Sequence, residues 1–329
     1  MSATANETVG VLVMAYGTPA SPEDIPEYYT HIRRGRPPTD DQLADLIRRY
    51  AAIGGISPLR ERTQAQLDAI GAALGAGASD GTESDGTASD GTESDGTATR
   101  RYVMQLGQKH AAPFIEDGVA ALVAAGVDRI VGVVLAPHYS GFSVGQYHGR
   151  AGTTAEAAGV PFVGLDSWSL EPAYLDHQAA SLRDRLSTLP ERTKVIFTAH
   201  SLPERVLVDD PYPDQLRASA EAIAGRAGLA EWSGWGLGWQ SAGRTPEPWR
   251  GPDILDILRE LAATGQAEGA LVVPQGFTAD HLEVLFDLDI EAAAVADEVG
   301  LAFARTDVVN ADASVMAALA ARVRELSAT

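Results

Sequence analysis

Cysteine is absent from the 329 residues, which excludes disulfides, thiolate metal sites and cysteine-ligated iron–sulfur clusters, and agrees with a reducing compartment. Any metal must be held by His, carboxylate, Tyr or carbonyl groups. Lysine is nearly missing as well: Lys109 and Lys194 stand alone, and every other basic side chain is Arg. Against 45 acidic residues there are 25 basic ones, a formal charge of −20, so a broad nucleic-acid-binding surface is not expected. The acidity reads either as a solvated surface suited to a salty cytosol or as attraction for metal cations; only particular carboxylates can support the second. No run reaches the roughly 20 apolar residues of a membrane span, and the opening MSATANETVGVLVMAYG has no basic flank before its short apolar stretch. A soluble, cytoplasmic protein is expected. GxxxxGK[ST], HExxH, GxSxG and a complete GxGxxG do not occur, which removes the commonest nucleotide-binding, zinc-protease and serine-hydrolase readings.

The length suffices for two domains of about 150 residues or one large one. Residues 79–98, SDGTESDGTASDGTESDGTA, are a tandem duplication of a ten-residue unit with no apolar side chain larger than Ala. Such a segment cannot bury enough surface to offset its ordering entropy, so a disordered, dispensable insertion is expected there. Elsewhere, β-rich apolar runs at 9–17, 102–107, 129–137, 161–166, 193–200, 235–240 and 270–276 alternate with helical patterns at 40–52, 62–74, 113–125, 174–188, 214–227, 252–263, 279–299 and 312–326. Continuous apolar strands separated by helices predict an α/β fold whose parallel sheets are covered on both faces.

Two strand ends look alike. MAYGTP (14–19) and TAHSLP (198–203) each run Ala, a ring-bearing polar residue, two more residues, then Pro. The stretches after VVLAP (133–137) and LVVPQG (271–276) form a second pair. This is either an internal repeat or the punctuation any two α/β halves share. If it is a repeat, Tyr16 and His200 sit at equivalent carboxyl ends of strands, where open α/β sheets bind ligands. In TADHLEVLFDLDIEA (278–292), Glu283, Asp287 and Glu291 recur every four residues, a spacing that lines three carboxylates along one helix face. The row is either a solvated face or a conduit for a divalent cation. Trp249, in the loop QSAGRTPEPWRGP (240–252), flanks a flat ligand or anchors the loop; Arg33, Arg34, Arg49 and Ser57 grip carboxylates or are ordinary surface residues.

Taken together, LVMAYGTP, YYTHIRRGRPP, RYAAIGGISPL, GQKHAAPFIEDGV, LAPHYSGFSVGQY, TAHSLPERV, DPYPDQL, GWQSAGRTPEPWRGPD and GFTADHLEVLFDLDIEA resemble the blocks of the ferrochelatase family, most closely its bacterial coproporphyrin III members. They occur in family order from about residue 9 to 292. The resemblance implies two Rossmann-like domains, each a parallel sheet flanked by helices, with a porphyrin cleft between them: 1–168 plus about 305–329, and 169–304. It implies insertion of Fe²⁺ into coproporphyrin III to give coproheme, with protoporphyrin IX as the alternative substrate. A cobalt chelatase and a non-catalytic tetrapyrrole or metal carrier are the more distant alternatives.

By the same resemblance His200 and Glu283 form the catalytic and metal-binding pair, and Tyr16 lies across the porphyrin as an axial ligand to the product iron. Arg33, Arg49, Tyr50, Ser57 and Tyr147 fall on positions that contact the tetrapyrrole or its propionates. His110 matches a histidine in the cleft. Asp287 and Glu291 match an outer acidic site that admits a second divalent cation. No organic cofactor is implied, and the iron–sulfur cluster that many relatives carry on cysteines is excluded here. A monomer in transient contact with the next haem-pathway enzyme is expected. The residue types suit the chemistry: insertion removes two pyrrole protons and strips water from the metal, and imidazole both ligates Fe²⁺ and takes a proton near neutral pH. Which of His200 and Glu283 ligates and which deprotonates is left open by the sequence.

Overall fold

A computed structural model of the chain describes residues 7–75, 100–230, 234–243 and 245–329. The repeat at 79–98, expected to be a disordered insertion, lies outside the described residues. The strands are β1 (Glu7–Ala15), β2 (Arg100–Gln108), β3 (Arg129–Val134), β4 (Phe162–Leu165), β5 (Thr193–His200), β6 (Trp235–Gln240), β7 (Gly269–Val273) and β8 (Ala302–Arg305). The helices are α1 (Ile25–Ile32), α2 (Asp40–Ala52), α3 (Leu59–Leu74), α4 (Ile115–Ala124), α5 (Val144–Ala157), α6 (Pro172–Leu186), α7 (Tyr212–Ala227), α8 (Ile254–Thr264), α9 (Leu282–Leu285), α10 (Ala293–Glu298) and α11 (Ala313–Ser327).

The strands form two parallel sheets of four, ordered β2-β1-β3-β4 and β6-β5-β7-β8. Adding four to each strand number converts one order into the other, so the likeness of the two strand ends extends to the whole topology. The central strands are apolar on both faces, as the continuous hydrophobic runs require. Along β1, Val9, Val11 and Val13 enter one core and Leu12 and Met14 another; along β5, Val195 and Phe197 enter the first of these and Ile196 a third. The first core is shared by both sheets. Between them lie α3 and α11, which pack together, and α6 and α7, which also pack together; α6 touches α11. The outer faces are closed by α4 and α5 on one sheet and by α8 and α10 on the other. Each fully buried Val, Leu or Phe in these layers contributes about 1.5–3 kcal/mol relative to exposure.

Some elements depart from the sequence expectation. β8, AFAR, is a four-residue edge strand that among the described residues pairs only with β7; its Ala-rich composition carries no strand signal, and the sheet edge supplies the order. α1 begins with Ile-Pro and is too short for a periodic pattern. The continuous helix expected over 279–299 is broken: α9 is a single turn, residues 287–292 are π-helical, and α10 resumes the ordinary helix.

Close approach of backbones sets up the carboxyl ends of the strands. Gly276, just past β7, donates its N–H to the Thr198 carbonyl at 3.1 Å, and a Cβ there would lie 2.6 Å from Ala199 Cβ and 2.9 Å from its Cα. Gly276→Ala should therefore cost about 1–3 kcal/mol, seen as a lower urea midpoint with native circular dichroism; an unchanged midpoint would show that the two loops are not locked together.

Candidate active site

The loops that follow β1, β2, β3, β5, β6 and β7 surround one cavity of about 660 Å³, a size suited to an organic ligand. The first sheet contributes Tyr16, His110 and His138, and the second contributes His200, Ser241 and Glu283. This is the carboxyl-end placement that open α/β sheets favour. α2 brings Arg49 and Tyr50 to the same wall. Its start is held by a capping box, in which the Gln42 N–H donates to Thr39 Oγ1 at 3.3 Å and the Thr39 N–H donates to Gln42 Oε1 at 3.1 Å.

His200 is the last residue of β5 and Glu283 lies in the first turn of α9. The imidazole Nε2 is 3.6 Å from Glu283 Oε1, and each side chain is 34% exposed, toward the cleft. His200 Nδ1 contacts the Ser201 carbonyl, so that nitrogen carries a proton and Nε2 is the atom that titrates against Glu283. A second imidazole mirrors the first: His281 Nδ1 donates to the Ala279 carbonyl at 3.0 Å, and its Nε2 is 3.6 Å from Glu283 Oε2. Burial works against charge on His200, but the adjacent Glu283 carboxylate outweighs it and holds the imidazole protonated above histidine's ordinary range. Burial likewise opposes charge on Glu283, yet His200 and His281 together keep it ionised below the usual carboxylate range.

The carboxylate row behaves differently along its length. Asp287 is 5% exposed; Arg49 Nη1 is 3.3 Å from its Oδ1, and the Ser241 hydroxyl donates to its Oδ2. Burial and the negative Glu283 push its carboxyl up to about 7 despite those partners. Glu291 is partly exposed and is not among the residues lining the cavity, though its charge is felt at Asp287. The π-helical segment, marked by the Glu291 N–H donating to the Phe286 carbonyl at 2.9 Å, widens the turn between Asp287 and Glu291. Such insertions recur at functional sites, and a wider turn advances less per residue, so a four-residue spacing strays less from one line than it would in an α-helix.

On the other wall, Tyr16 is 43% exposed and its ring centroid is 4.6 Å from that of His110. Enclosure in the cleft and the charge of Glu283 keep its phenol neutral, well above the ordinary tyrosine range. His110 Nδ1 lies 3.0 Å from His31 Nδ1, and burial, with Lys109, lowers His110 to about 3, so it stays uncharged. Arg33, Arg34, Arg49 and Lys109 also line the cavity, which sets a cationic rim in a strongly acidic protein. Tyr50 is buried, its hydroxyl 3.4 Å from Thr18 Oγ1, and Tyr147 is buried beneath Lys109, whose Nζ is 5.1 Å from the ring centre. Ser57 lines the wall while its Oγ accepts from the Leu59 N–H at 3.2 Å at the start of α3. Trp249 lines the cavity too, its indole N–H donating to Thr245 Oγ1 at 2.9 Å.

The structure thus brings Tyr16, Arg33, Arg49, Tyr50, Ser57, His110, Tyr147, His200, Glu283 and Asp287 to one cavity, and Glu291 is not among the residues that line it. Sequence reasoning passed over His281 and Ser241. His281 had a signal, since it stands two residues before Glu283; Ser241 acts through its contact with Asp287, which no local pattern shows. The array can hold a cation at Glu283, exchange a proton at His200 Nε2 and grip an anionic ligand at the rim.

The ferrochelatase family model matches residues 8–327. The coproporphyrin III ferrochelatase of Anoxybacillus flavithermus is 42% identical over 320 residues, 95% of each chain, and that of Halalkalibacterium halodurans is 40% identical over 321 residues, 96% of each. Among solved structures, the sirohydrochlorin chelatase SirB of Bacillus subtilis subspecies spizizenii superposes with a TM-score of 0.52 at 13% identity, covering 97% of this chain and 94% of that one. CbiX, the terminal enzyme of sirohaem biosynthesis in denitrifying bacteria, gives 0.51 at 14% identity, covering 97% and 99%. These two share the fold.

The titration of Asp287 has a measurable consequence. Its carboxyl is raised from an ordinary 3.8 to about 7 in the folded protein, so its ionisation opposes folding: not at all below about pH 4, increasingly above it, and fully above about pH 7. Asp287→Asn should stabilise the protein by up to about 4 kcal/mol at pH 8 and by almost nothing at pH 4. Urea unfolding at the two pH values checks this; equal effects at both would contradict it.

Proposed function

The chain belongs to the ferrochelatase family, and from that premise we propose that it inserts Fe²⁺ into coproporphyrin III, releasing coproheme and two protons. The observation that carries this reading is the His200–Glu283 pair, facing the same cavity as Tyr16 and a rim of arginines. Coproporphyrin III bears four propionates, and the planar guanidiniums of Arg33 and Arg49 suit carboxylates in bidentate fashion. Tyr50, Ser57 and Tyr147 complete the wall against which the macrocycle lies. The 40–42% identity to coproporphyrin III ferrochelatases over nearly the whole chain supports this porphyrin over protoporphyrin IX.

The pair divides the work. His200 Nδ1 is committed to the Ser201 carbonyl, so Nε2 is the atom that accepts a pyrrole proton, while Glu283, anionic between two imidazoles, is the group that meets the cation. In the resting protein Nε2 already holds a proton. A divalent cation arriving beside Glu283 repels the imidazolium and releases that proton to water, which leaves Nε2 free to take the two pyrrole protons in turn, passing the first to water before accepting the second. Metal arrival and ring deprotonation are thereby coupled. Walls that fit a distorted macrocycle better than a flat one lower the barrier by differential binding. Tyr16, on the opposite wall, ligates the product iron.

The outer acidic site is assigned to Asp287 and Glu291, which hold a second, hydrated divalent cation on its way inward. The lobes are 1–168 with about 305–329, and 169–304. The protein works in the cytoplasm as a monomer and passes its product in transient contact with the next enzyme of the pathway.

Anaerobic mixing with Fe²⁺ and coproporphyrin III, followed by absorption, should give many turnovers; a single stoichiometric shift would indicate a carrier, and preferential turnover of protoporphyrin IX would reassign the substrate. His200→Ala should abolish insertion while porphyrin binding, read by fluorescence quenching, persists; normal turnover would remove His200 from the mechanism. Glu283→Gln takes away the charge that holds His200 protonated, and burial then lowers that imidazole. The rising limb of the pH–rate profile should move to lower pH while the maximal rate falls; a shift to higher pH would contradict the pairing.

A further inference from the structure

The 3.6 Å separation of His200 Nε2 and Glu283 Oε1 joins two segments that are not neighbours in sequence. We propose that Gln240 is the positioning residue that sets this separation, by tying the backbone of Glu283 to the strand that carries His200; the assignment rests on the chelatase reading above. Gln240 ends β6 and stands opposite His200 in the β5–β6 register. It is 1% exposed. Its Nε2 donates to the Glu283 carbonyl at 2.9 Å, and its Oε1 accepts from Thr198 Oγ1 at 2.9 Å. The Glu283 carbonyl only accepts, so the amide orientation is forced: the NH₂ group must face it. Thr198 lies two residues before His200 and is fully buried. The Gln240 main-chain carbonyl also accepts from the Ser201 N–H at 2.8 Å.

One carboxamide therefore touches, through Thr198 and through Glu283, both segments whose side chains make the pair. Its two side-chain hydrogen bonds go to the Thr198 hydroxyl and the Glu283 backbone, not to the imidazole or the carboxylate. The Glu283 carbonyl lies just before the helix changes from α to π. A fully satisfied buried amide adds rigidity there, and an unpaired one would cost it. The sequence shows none of this, because Gln240 precedes Glu283 by 43 residues.

Gln240→Met keeps the length of the side chain and removes both hydrogen bonds. With Fe²⁺ and coproporphyrin III, kcat should fall about 10- to 100-fold, the scale of a small misplacement of catalytic groups. KM for the porphyrin and its affinity by fluorescence quenching should stay within about twofold. A merely structural role would instead move kcat, KM and porphyrin affinity together, and that result, or an unchanged kcat, would overturn the proposal. Should Gln240→Met not fold, Thr198 decides by the same criteria. Thr198→Val, which removes the hydroxyl that orients the amide, should lower kcat about fivefold, and Thr198→Ser should recover most of that loss; equal kcat in the two would overturn the proposal. Absence of turnover in the unsubstituted protein would refute the chelatase reading itself and is read separately from these ratios.

Discussion

Everything in the site depends on keeping an imidazolium and a carboxylate in contact at the edge of a cavity instead of deep in a core or out in water. Fully buried, the pair would carry a desolvation cost of several kcal/mol per ion; fully exposed, its coupling would be screened to a fraction of a kcal/mol. At one-third exposure each group still perturbs the other strongly and still reaches a ligand. The same crowding works against Asp287, whose charge is opposed by burial and by Glu283. At Asp287 the fold gives up stability, increasingly above about pH 4, to keep a carboxylate beside the cavity.

Duplication of topology explains how such a site arises. Two sheets of identical strand order present equivalent carboxyl ends to one cavity, so a ring placed there is flanked by a residue just past β1, Tyr16, and by the last residue of β5, His200. The two ends differ in chemistry: a neutral phenol and the uncharged His110 on one wall, a protonated histidine and carboxylates on the other.

Much of this was legible in the sequence, for physical reasons that can be named. β1, β3, β5 and β7 are buried on both faces and so write themselves as unbroken apolar runs. Tyr16 and His200 announce themselves as polar rings where such runs stop. Glu283 and Asp287 stand out as like charges at helical spacing with no compensating cation nearby. β8 did not show, because an Ala-rich edge strand takes its order from its neighbour. The π-helical turn at 287–292 did not show either, since it reflects packing against the second sheet and not local propensity. Nor did the roles of Ser241 and Arg49 at Asp287, or the orientation of His200 by the Ser201 carbonyl, follow from spacing; each depends on which distant segment folding brings alongside.

The most direct test is the structure of the protein with metal-free coproporphyrin III bound. The account predicts a macrocycle lying in the cavity with its central nitrogens facing His200 Nε2 and Glu283 on one side and the Tyr16 hydroxyl on the other. A porphyrin bound elsewhere, or one whose centre is shielded from that pair, would contradict it.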